Sequence, residues 1–321
     1  MGLGLRGDLE PAAYRELGAA AEAAGFDVLS VFGDLGFQPP LPALLLAALE
    51  TRRIRLGPAC LNPYTTHPVE IAGQVAVLDH LSGGRAYLGL ARGAWLDQAG
   101  VAAARPVAAL REAHQVVRLL LAGDDRGFHG SVFRVEPGLR LRCPVLRPTV
   151  PILIGTWGER LTALAARIAD EVKIGGSASP AMVAAVRDRL GPAPVAIVMG
   201  AVTVVDEDGA LARRAAKAAV AMYLDVVAAL DPSGPADPEL LARVHNLVLR
   251  GDHTGAGAAI PDAVLRRFAF AGTPAEVADQ AETLFAAGAG RVELGQPLAV
   301  AGVARGLDVV RRGVLPRLRR P

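Results

Sequence analysis

Residues 51–93 have the sequence TRRIRLGPACLNPYTTHPVEIAGQVAVLDHLSGGRAYLGLARG. Two short apolar runs in it, Arg55–Leu61 and Ala86–Leu90, have the length of strands and are bounded by turn residues. The amphipathic run Pro68–Leu81 between them predicts a helix, with a proline in its first turn, where the missing N–H costs nothing. This order predicts two parallel strands joined by a right-handed crossover.

The same alternation continues on both sides of this segment. Further strands are predicted at Gly2–Leu5, Val28–Val31, Pro151–Thr156, Glu171–Ile174, Ala196–Val205 and Val292–Gly295. Further helices are predicted at Pro11–Ala24, Pro42–Glu50, Val107–Leu121, Glu159–Ala169, Ala181–Leu190, Gly209–Leu230, Pro238–Leu249, Pro261–Phe268, Pro274–Ala287 and Val303–Val310. Eight strands that alternate with helices favour a closed (β/α)8 TIM barrel, and an open doubly wound sheet is the alternative.

Two stretches interrupt this alternation. Residues 123–150 have short alternating runs that predict a β-hairpin before strand five. Residues 206–272 hold two or three predicted helices after strand seven, where the repeat needs one. Because TIM barrels of about 250 residues or more are common as one unit, we predict a single domain over residues 1–321 with these two insertions.

The composition fits a barrel built from small residues. The chain is 52% hydrophobic but only 4% aromatic, so Ala, Val and Leu must form the core. A formal charge of +2, with both signs scattered, argues against nucleic acid as a partner. The apolar run Leu41–Leu49 is shorter than the roughly 20 residues of a membrane span. With two distant cysteines, Cys60 and Cys143, and no signal-peptide pattern, we predict a cytoplasmic protein without disulfides.

Common catalytic motifs are missing or lack their context. Gly2, Gly4 and Gly7 match the pattern GxGxxG, but no acidic residue follows at the spacing that a dinucleotide fingerprint requires. The sequence has no GxxxxGK[ST] phosphate loop and no Gly-x-Ser-x-Gly nucleophile elbow. The histidines do not pair at metal-ligand spacing, so we predict no metal site. These observations favour an enzyme in which a bound cofactor supplies the chemistry.

Three segments resemble the luciferase-like superfamily, and within it the deazaflavin-dependent reductases akin to methylenetetrahydromethanopterin reductase. They are AEAAGFDVLSVFGDLGFQPP (residues 21–40), the segment 51–93 quoted above, and VPILIGTWGERLTALAARIADEVKIGGSASP (residues 150–180). A weaker match is FAGTPAEVADQAETLFAAGAGRVELG (residues 270–295). The combination of LGPxxxNPYTxHP, LDxLSxGR and ADEVKIGG is specific for the superfamily, but it does not indicate the substrate.

The resemblance implies a cofactor ring that lies across the C-terminal mouth of a TIM barrel, where barrel catalysis takes place. It also implies hydride transfer between 8-hydroxy-5-deazaflavin (coenzyme F-420) and a small organic substrate, a methylene-tetrahydropterin-like compound being one candidate. Asp34 lies where relatives carry a polar residue near the hydride-exchanging carbon, and we assign it as catalytic, with turn capping as the structural alternative. Arg6 stands where the pterin reductases tend to carry an acid, which weakens the pterin assignment and favours an anionic substrate group facing Arg6.

The resemblance further implies cofactor-binding residues after four strands. After strand three they are Ala59, Cys60, Leu61 and Asn62, with a non-prolyl cis peptide at Ala59–Cys60 behind the ring. After strand four they are Ala91, Arg92, Gly93 and Asp97, and after strands five and six they are Thr156, Trp157, Gly175, Gly176 and Ser177. Backbone N–H groups of the glycine-rich turn 175–177 are expected to hold the phosphate end. Ordinary turn chemistry is the alternative for Asn62 and for the glycines.

Three other functions stay open at this point. One is an FMN-dependent monooxygenase, since the physics of a ring pocket does not separate FMN from a deazaflavin. Another is a flavin-free, NADH-dependent methylenetetrahydrofolate reductase on a similar barrel. The third is a non-catalytic flavin-binding barrel, because a fold alone does not confer activity. Since relatives are usually homodimers or larger, we expect a homo-oligomer whose other partners are its small-molecule substrate and cofactor.

Overall fold

The computed structural model describes residues 1–234 and 237–318 of the chain. Its strands are β1 (Gly2–Leu5), β2 (Val28–Val31), β3 (Arg55–Pro58), β4 (Leu88–Ala91), β5 (Phe128–His129), β6 (Arg134–Val135), β7 (Ile152–Gly155), β8 (Glu171–Gly175), β9 (Ala196–Val205), β10 (Ala269–Gly272) and β11 (Arg291–Leu298). Its helices are α1 (Pro11–Ala24), α2 (Pro40–Glu50), α3 (Pro68–Ser82), α4 (Pro106–Leu121), α5 (Glu159–Ile168), α6 (Pro180–Leu190), α7 (Gly209–Val227), α8 (Pro238–Leu249), α9 (His253–Ala259), α10 (Asp262–Phe268), α11 (Pro274–Ala286), α12 (Val303–Val309) and α13 (Leu315–Leu318).

Eight strands are hydrogen-bonded in the order β3-β2-β1-β11-β9-β8-β7-β4. Parallel bridges join Leu56 to Ala86 and Leu61 to Leu90, and so connect β3 with β4, the two ends of this order. A strand order that returns to its start belongs to a closed barrel, so the alternative of an open doubly wound sheet is wrong.

Two elements within residues 206–272 are absent from the sequence prediction. The strand β10 pairs in parallel with the end of β9, from Ala269 opposite Val202 to Gly272 opposite Val205. The helix α9 lies in a glycine-rich segment that sequence punctuation favours as a loop. The earlier insertion, residues 123–150, contains a short antiparallel hairpin in which β5 pairs with β6.

The contacts of the chain divide it into two compact units, which we describe separately. The N-terminal unit consists of Leu5–Val172 and Pro192–Val195. The C-terminal unit consists of Met1–Gly4, Lys173–Gly191 and Ala196–Pro321. The expectation of a single domain with two insertions stays a prediction.

Helix ends follow signals that are visible in the sequence. Pro11 and Pro274 are the first residues of α1 and α11. The hydroxyl of Thr273 accepts the Glu276 N–H, and the Glu276 carboxylate accepts the Thr273 N–H, which confirms a capping box. Gly25 ends α1 in the left-handed conformation with φ 90°. Over the stretch of chain described here, no helix combines the length and the apolar character needed to cross a membrane.

One tyrosine fills much of the strand interior in the N-terminal unit. The Tyr87 ring is fully buried, and its hydroxyl lies 2.7 Å from Ser30 Oγ on β2. A Cβ atom at Gly57 on β3 would lie 2.5 Å from two carbons of this ring, so only glycine leaves room for it. A core with few aromatic residues therefore depends on glycine at the position that faces the tyrosine.

Candidate active site

The predicted residues after β3 lie where strand ends of the N-terminal unit meet. The Ala59–Cys60 peptide bond is cis, which confirms the prediction. The Ala59 N–H donates to the Val31 carbonyl at the end of β2 over 2.8 Å. The Leu61 N–H donates to the Gly89 carbonyl on β4 over 2.9 Å. The segment is thus tied by backbone hydrogen bonds to the strand on either side.

Glycines surround Cys60 on three neighbouring segments. A Cβ atom at Gly155, the last residue of β7, would lie 2.8 Å from Cys60 Sγ. A Cβ atom at Gly89 would lie 3.3 Å from the same sulfur, and one at Gly33 would overlap the Cys60 carbonyl oxygen. The ends of β2, β3, β4 and β7 therefore converge on Cys60 with no space to spare. We call this arrangement of Cys60 with Gly33, Gly89 and Gly155 the Cys60 junction.

Asn62 uses its side-chain oxygen to build the next turn. Asn62 Oδ1 accepts the N–H groups of Tyr64 at 3.1 Å and of Thr65 at 2.9 Å, and the Thr65 hydroxyl at 3.1 Å. Within the part of the chain that the structure describes, no group accepts a hydrogen bond from its Nδ2. The turn thus uses the side-chain oxygen of Asn62 as an acceptor. The N–H groups of the same amide can still donate to a ligand.

The turn after β4 presents a run of unused backbone donors. Among the described residues, no group accepts the N–H of Gly93 or Ala94. Gly93 has φ 88°, and a Cβ atom there would lie 3.2 Å from the Asn62 side chain. The two turns are therefore in contact, and successive free N–H groups can bind an electron-rich group.

Tyr64 connects this region to the following loop, and sequence reasoning did not assign it a role. Its hydroxyl donates to the Ala104 carbonyl over 2.8 Å. Burial raises the pKa of the Tyr64 phenol, and the nearby charge of Arg92 opposes that shift. The NPYT motif is the signal for this residue, because Asn62 and Tyr64 belong to the same turn.

The predicted residues Arg92 and Asp97 are both exposed. Asp97 lies on the short 3-10 helix Leu96–Ala99, and its carboxylate has no partner among the described residues. Trp95, just before this turn, has φ 55°, a left-handed conformation that is rare for a residue with a side chain. The loop therefore shows local strain next to the free donors.

The loops after β1 and β2 run side by side. The Phe32 N–H donates to the Leu5 carbonyl, and the Gln38 N–H donates to the Gly7 carbonyl, both over 2.9 Å. Arg6 lies on the first loop and Asp34 on the second, so these two predicted catalytic residues are held on adjacent segments.

The structure gives an ion pair for the Arg6 side chain and a backbone hydrogen bond for Asp34. The Arg6 guanidinium forms an ion pair with Asp8 at 2.9 Å. An anionic substrate group would therefore have to share Arg6 with Asp8. The Asp34 side chain is half-buried, and its backbone carbonyl accepts the Phe37 N–H over 3.3 Å. Asp34 thus closes a tight turn, and its half-buried side chain is only partly exposed to water.

After β7, the buried Thr156 hydroxyl accepts the Gly158 N–H over 3.0 Å. This hydrogen bond stabilises the turn that leads into α5, so the Thr156 hydroxyl oxygen has a structural role. Trp157, between these two residues, is half-buried. Trp157 follows Gly155 by two residues, so its backbone lies next to the Cys60 junction.

In the C-terminal unit, the predicted phosphate turn after β8 has its donors already in use. The N–H groups of Gly176 and Ser177 both donate to the Gly200 carbonyl, over 2.6 and 3.2 Å. Ser177 is fully buried, and its hydroxyl oxygen accepts the Ser179 N–H over 3.2 Å. Gly176 has φ 79°. These bonds favour the ordinary left-handed turn, and the phosphate assignment of residues 175–177 stays a prediction that these donors do not support.

The C-terminal unit also holds a buried charge cluster. The Lys173 ammonium on β8 contacts the Glu293 carboxylate on β11, and the Arg291 guanidinium lies 4.0 Å from that carboxylate. The three side chains are between 1% and 6% exposed, so this is a core ion-pair network. The available signal is charge at alternate positions of an apolar strand, Arg291 and Glu293 on β11.

The chain is similar to proteins of known identity over nearly its whole length. A family model described as luciferase-like monooxygenase matches residues 4–291. The 5,10-methylenetetrahydromethanopterin reductase of Archaeoglobus fulgidus is 28% identical, with 93% of each protein covered. The enzyme of the same name from Methanopyrus kandleri is 27% identical, with 99% of this chain and 98% of the relative covered.

A solved structure agrees with these matches. The coenzyme F-420-dependent tetrahydromethanopterin reductase from Methanopyrus kandleri superposes with a TM-score of 0.90 at 25% identity, and 99% of each chain is covered. A likeness this complete, together with the closed strand order, confirms the predicted luciferase-like TIM barrel.

Proposed function

This chain belongs to the luciferase-like monooxygenase family, and from that premise we propose that it is an oxidoreductase that transfers a hydride between coenzyme F-420 and a small organic substrate. Two relatives that cover nearly the whole chain are methylenetetrahydromethanopterin reductases. The observation that carries the proposal is the set of unused donors beside the Cys60 junction, because it matches what a flat, carbonyl-rich ring needs.

The residues present fit such a ring. The glycines of the Cys60 junction let neighbouring backbone segments pack directly against Cys60, so the cis segment is held firmly in place beside the proposed ring. The Asn62 amide and the N–H groups of Gly93 and Ala94 can donate to ring carbonyls or to hydroxyl and phosphate oxygens. When bound, a deazaflavin supplies a ring carbon that gives or accepts a hydride.

The task of the chain is then to bind, orient and keep water out. Asn62 is suited to fix orientation, because three hydrogen bonds to its oxygen hold the side chain in one position. Holding two reacting carbons in contact at a fixed angle supplies a large part of the rate of such a transfer. The half-buried Trp157 is placed to shield one side of the ring.

Asp34 and Arg6 handle protons and charge in this proposal. The Asp34 carboxylate hydrogen-bonds the substrate and passes a proton to or from it. Arg6 binds an anionic group of the substrate in competition with Asp8, 2.9 Å away. The substrate is a small organic compound, a methylene-tetrahydropterin-like compound being one candidate, and the cytoplasmic location and the homo-oligomeric state stay predictions.

A comparative titration tests the cofactor. Purified protein is titrated anaerobically with coenzyme F-420, FMN and NADH, and binding is followed by cofactor fluorescence. We expect coenzyme F-420 to bind at least tenfold tighter than either rival. Tighter FMN binding indicates the monooxygenase alternative, and NADH oxidation with a folate indicates the flavin-free reductase. Binding of none of the three refutes the proposal.

A conservative variant tests the catalytic role of Asp34. We expect Asp34→Asn to lower turnover of reduced coenzyme F-420 by about 100-fold or more, with cofactor affinity nearly unchanged, since proton transfer by a side chain is typically worth this much. The substrates are a panel of methylene-tetrahydropterins, methylene-tetrahydrofolate and secondary alcohols. Asp188→Asn, an exposed acid on α6, is the control. Cofactor binding without turnover of any panel member by the wild type supports the non-catalytic barrel instead.

A further inference from the structure

A groove of about 720 Å³ lies in the N-terminal unit between α4, α5 and the hairpin β5–β6. A second cavity of about 540 Å³ shares His114, Arg118 and Arg167 with it and extends to Pro151 and Ile152, where β7 begins. The Cys60 junction lies at the other end of β7. The groove is therefore separate from the predicted active site by the length of a strand.

The groove has an apolar wall. Leu119 on α4, and Leu164 and Ile168 on α5, line it, and Phe128 of the hairpin adds an aromatic ring. Ligand sites of a few hundred Å³ with mostly apolar walls and a few polar groups are typical of small-molecule binding. The volume and the wall thus suit the apolar body of a small molecule.

His114 supplies a polar group inside this wall. It is only 6% exposed and lines both cavities. Within the described part of the chain, neither ring nitrogen has a hydrogen-bond partner. Burial, and then the charge of Arg118, lower the pKa of His114 to about 4, while Asp170 opposes the shift. The imidazole is therefore neutral near pH 7 and can donate one hydrogen bond into the groove.

Two arginines of the groove have no anionic partner among the described residues. They are Arg118 on α4 and Arg167 on α5, both exposed. The other cations are already engaged: Arg126 pairs with Asp124, and Arg111 lies 3.7 Å from Glu112.

One acid of the shared cavity partly balances these two arginines. A carboxylate oxygen of Asp170 accepts the Ile152 N–H over 2.8 Å, so its charge is directed toward the start of β7. Two free guanidinium groups against one acid leave the groove with a positive charge that is not compensated.

We propose that this groove binds a small amphiphilic anion, a phosphate monoester on an apolar or aromatic body. The phosphate lies between the Arg118 and Arg167 guanidinium groups and accepts a hydrogen bond from His114. Planar guanidinium groups bind phosphate oxygens in pairs, which is why arginine is favoured at such sites. The body of the ligand packs against Leu164 and Ile168.

The probe that tests this is 1-naphthyl phosphate, with 1-naphthol and inorganic phosphate as controls. Binding to the full chain is measured by calorimetry, and the imidazole signals are followed by NMR. We expect 1-naphthyl phosphate to bind at least tenfold tighter than either control and to shift the His114 signal. Equal affinity for 1-naphthol overturns the proposal, and so does an unchanged His114 signal. Displacement of the probe by coenzyme F-420 overturns it as well, since the probe then occupies the predicted active site.

Charge variants locate the phosphate. Arg118→Gln and Arg167→Gln should each weaken 1-naphthyl phosphate at least threefold, and the double variant at least tenfold. Both side chains are exposed, so the fold should be retained, which circular dichroism checks. Arg142→Gln is the matched control, because Arg142 is also exposed and without a described partner but lies outside the groove. A double variant that binds like Arg142→Gln contradicts the proposal.

Discussion

Replacing Gly155 with alanine tests whether the Cys60 junction is as tight as its geometry indicates. The added Cβ would lie 2.8 Å from Cys60 Sγ and 3.3 Å from the Ala91 Cβ, whereas ordinary contacts begin at 3.4 Å. Cys60 must therefore move by about 0.6 Å. Its carbonyl already touches Gly33 and its sulfur is close to Gly89, so we expect it to move toward the side where the cofactor is proposed to bind.

The size of the effect follows from this overlap. Forcing one extra carbon into a packed position costs about 1–3 kcal/mol. If about 1.4 kcal/mol of this appears only when the ring is bound, the affinity for coenzyme F-420 falls tenfold. The rest lowers the free energy of unfolding. We therefore expect both a weaker cofactor complex and a less stable protein.

The assay compares fluorescence titration of coenzyme F-420 with urea unfolding for the wild type and two variants. Gly73→Ala is the control, because Gly73 lies on α3 with its nearest neighbour, Leu141, 4.0 Å from the added carbon. Alanine in a helix interior should stabilise the protein by up to about 1 kcal/mol and leave cofactor affinity unchanged. If Gly155→Ala binds within twofold of the wild type and unfolds at the same urea concentration, the reasoning about the Cys60 junction is wrong.

Variants at three further sites test other parts of the structure. Burial raises the pKa of Glu112, but hydrogen bonds from residues 131–133 lower it to about 2. Glu112→Gln should therefore lower the free energy of unfolding by about 3 kcal/mol at pH 7, and the difference from wild type should shrink as the pH falls from 4.5 toward 2, measured by urea unfolding. Lys173→Met should destabilise by about 3 kcal/mol because Glu293 loses its closest partner, and Lys173→Met/Glu293→Met should recover part of this in the same assay. Tyr64→Phe should cost about 1 kcal/mol and speed hydrogen exchange in residues 95–105, since a loop carbonyl loses its donor.

The positions of strand ends could be predicted from the sequence because turn-forming residues such as glycine and proline mark them. The predicted strands Gly2–Leu5, Val28–Val31 and Ala196–Val205 have the same bounds in the structure. Parallel barrel strands share one end, so residues after different strands are expected to meet. The residues Ala59–Asn62, Ala91–Gly93 and Thr156–Trp157 could thus be grouped from the sequence.

Elements that depend on distant partners could not be predicted in this way. The strand β10 has four residues and follows α10 without a turn, so its alternation is too short to be recognised before its pairing with β9 is known. The helix α9 contains Gly255 and Gly257, which disfavour a helix locally. A Cβ atom at Gly257 would lie 2.7 Å from the Ala218 backbone of α7, so this glycine allows a close helix contact that outweighs its poor propensity.

A sequence also does not show whether a backbone N–H group is already hydrogen-bonded within the protein. The turns after β4 and β8 both contain glycine with a positive φ, at Gly93 and Gly176. The N–H of Gly176 is bonded to Gly200, a residue that the sequence does not connect to it, whereas the N–H of Gly93 has no described acceptor. Motif reasoning assigns both turns to ligand binding with equal force. A turn can still donate to a ligand only if no carbonyl group from a distant part of the chain already accepts its N–H.

Asn62 shows that a structural role and a binding role are not alternatives. The turn after β3 takes its oxygen through donors on Tyr64 and Thr65, which fixes the plane of the amide. With the plane fixed, the direction of Nδ2 is set before any ligand arrives, so a hydrogen bond from it costs little rotamer entropy. An exposed asparagine could donate the same bond but would first have to be ordered. The turn is therefore the reason that this residue can select the orientation of a bound ring.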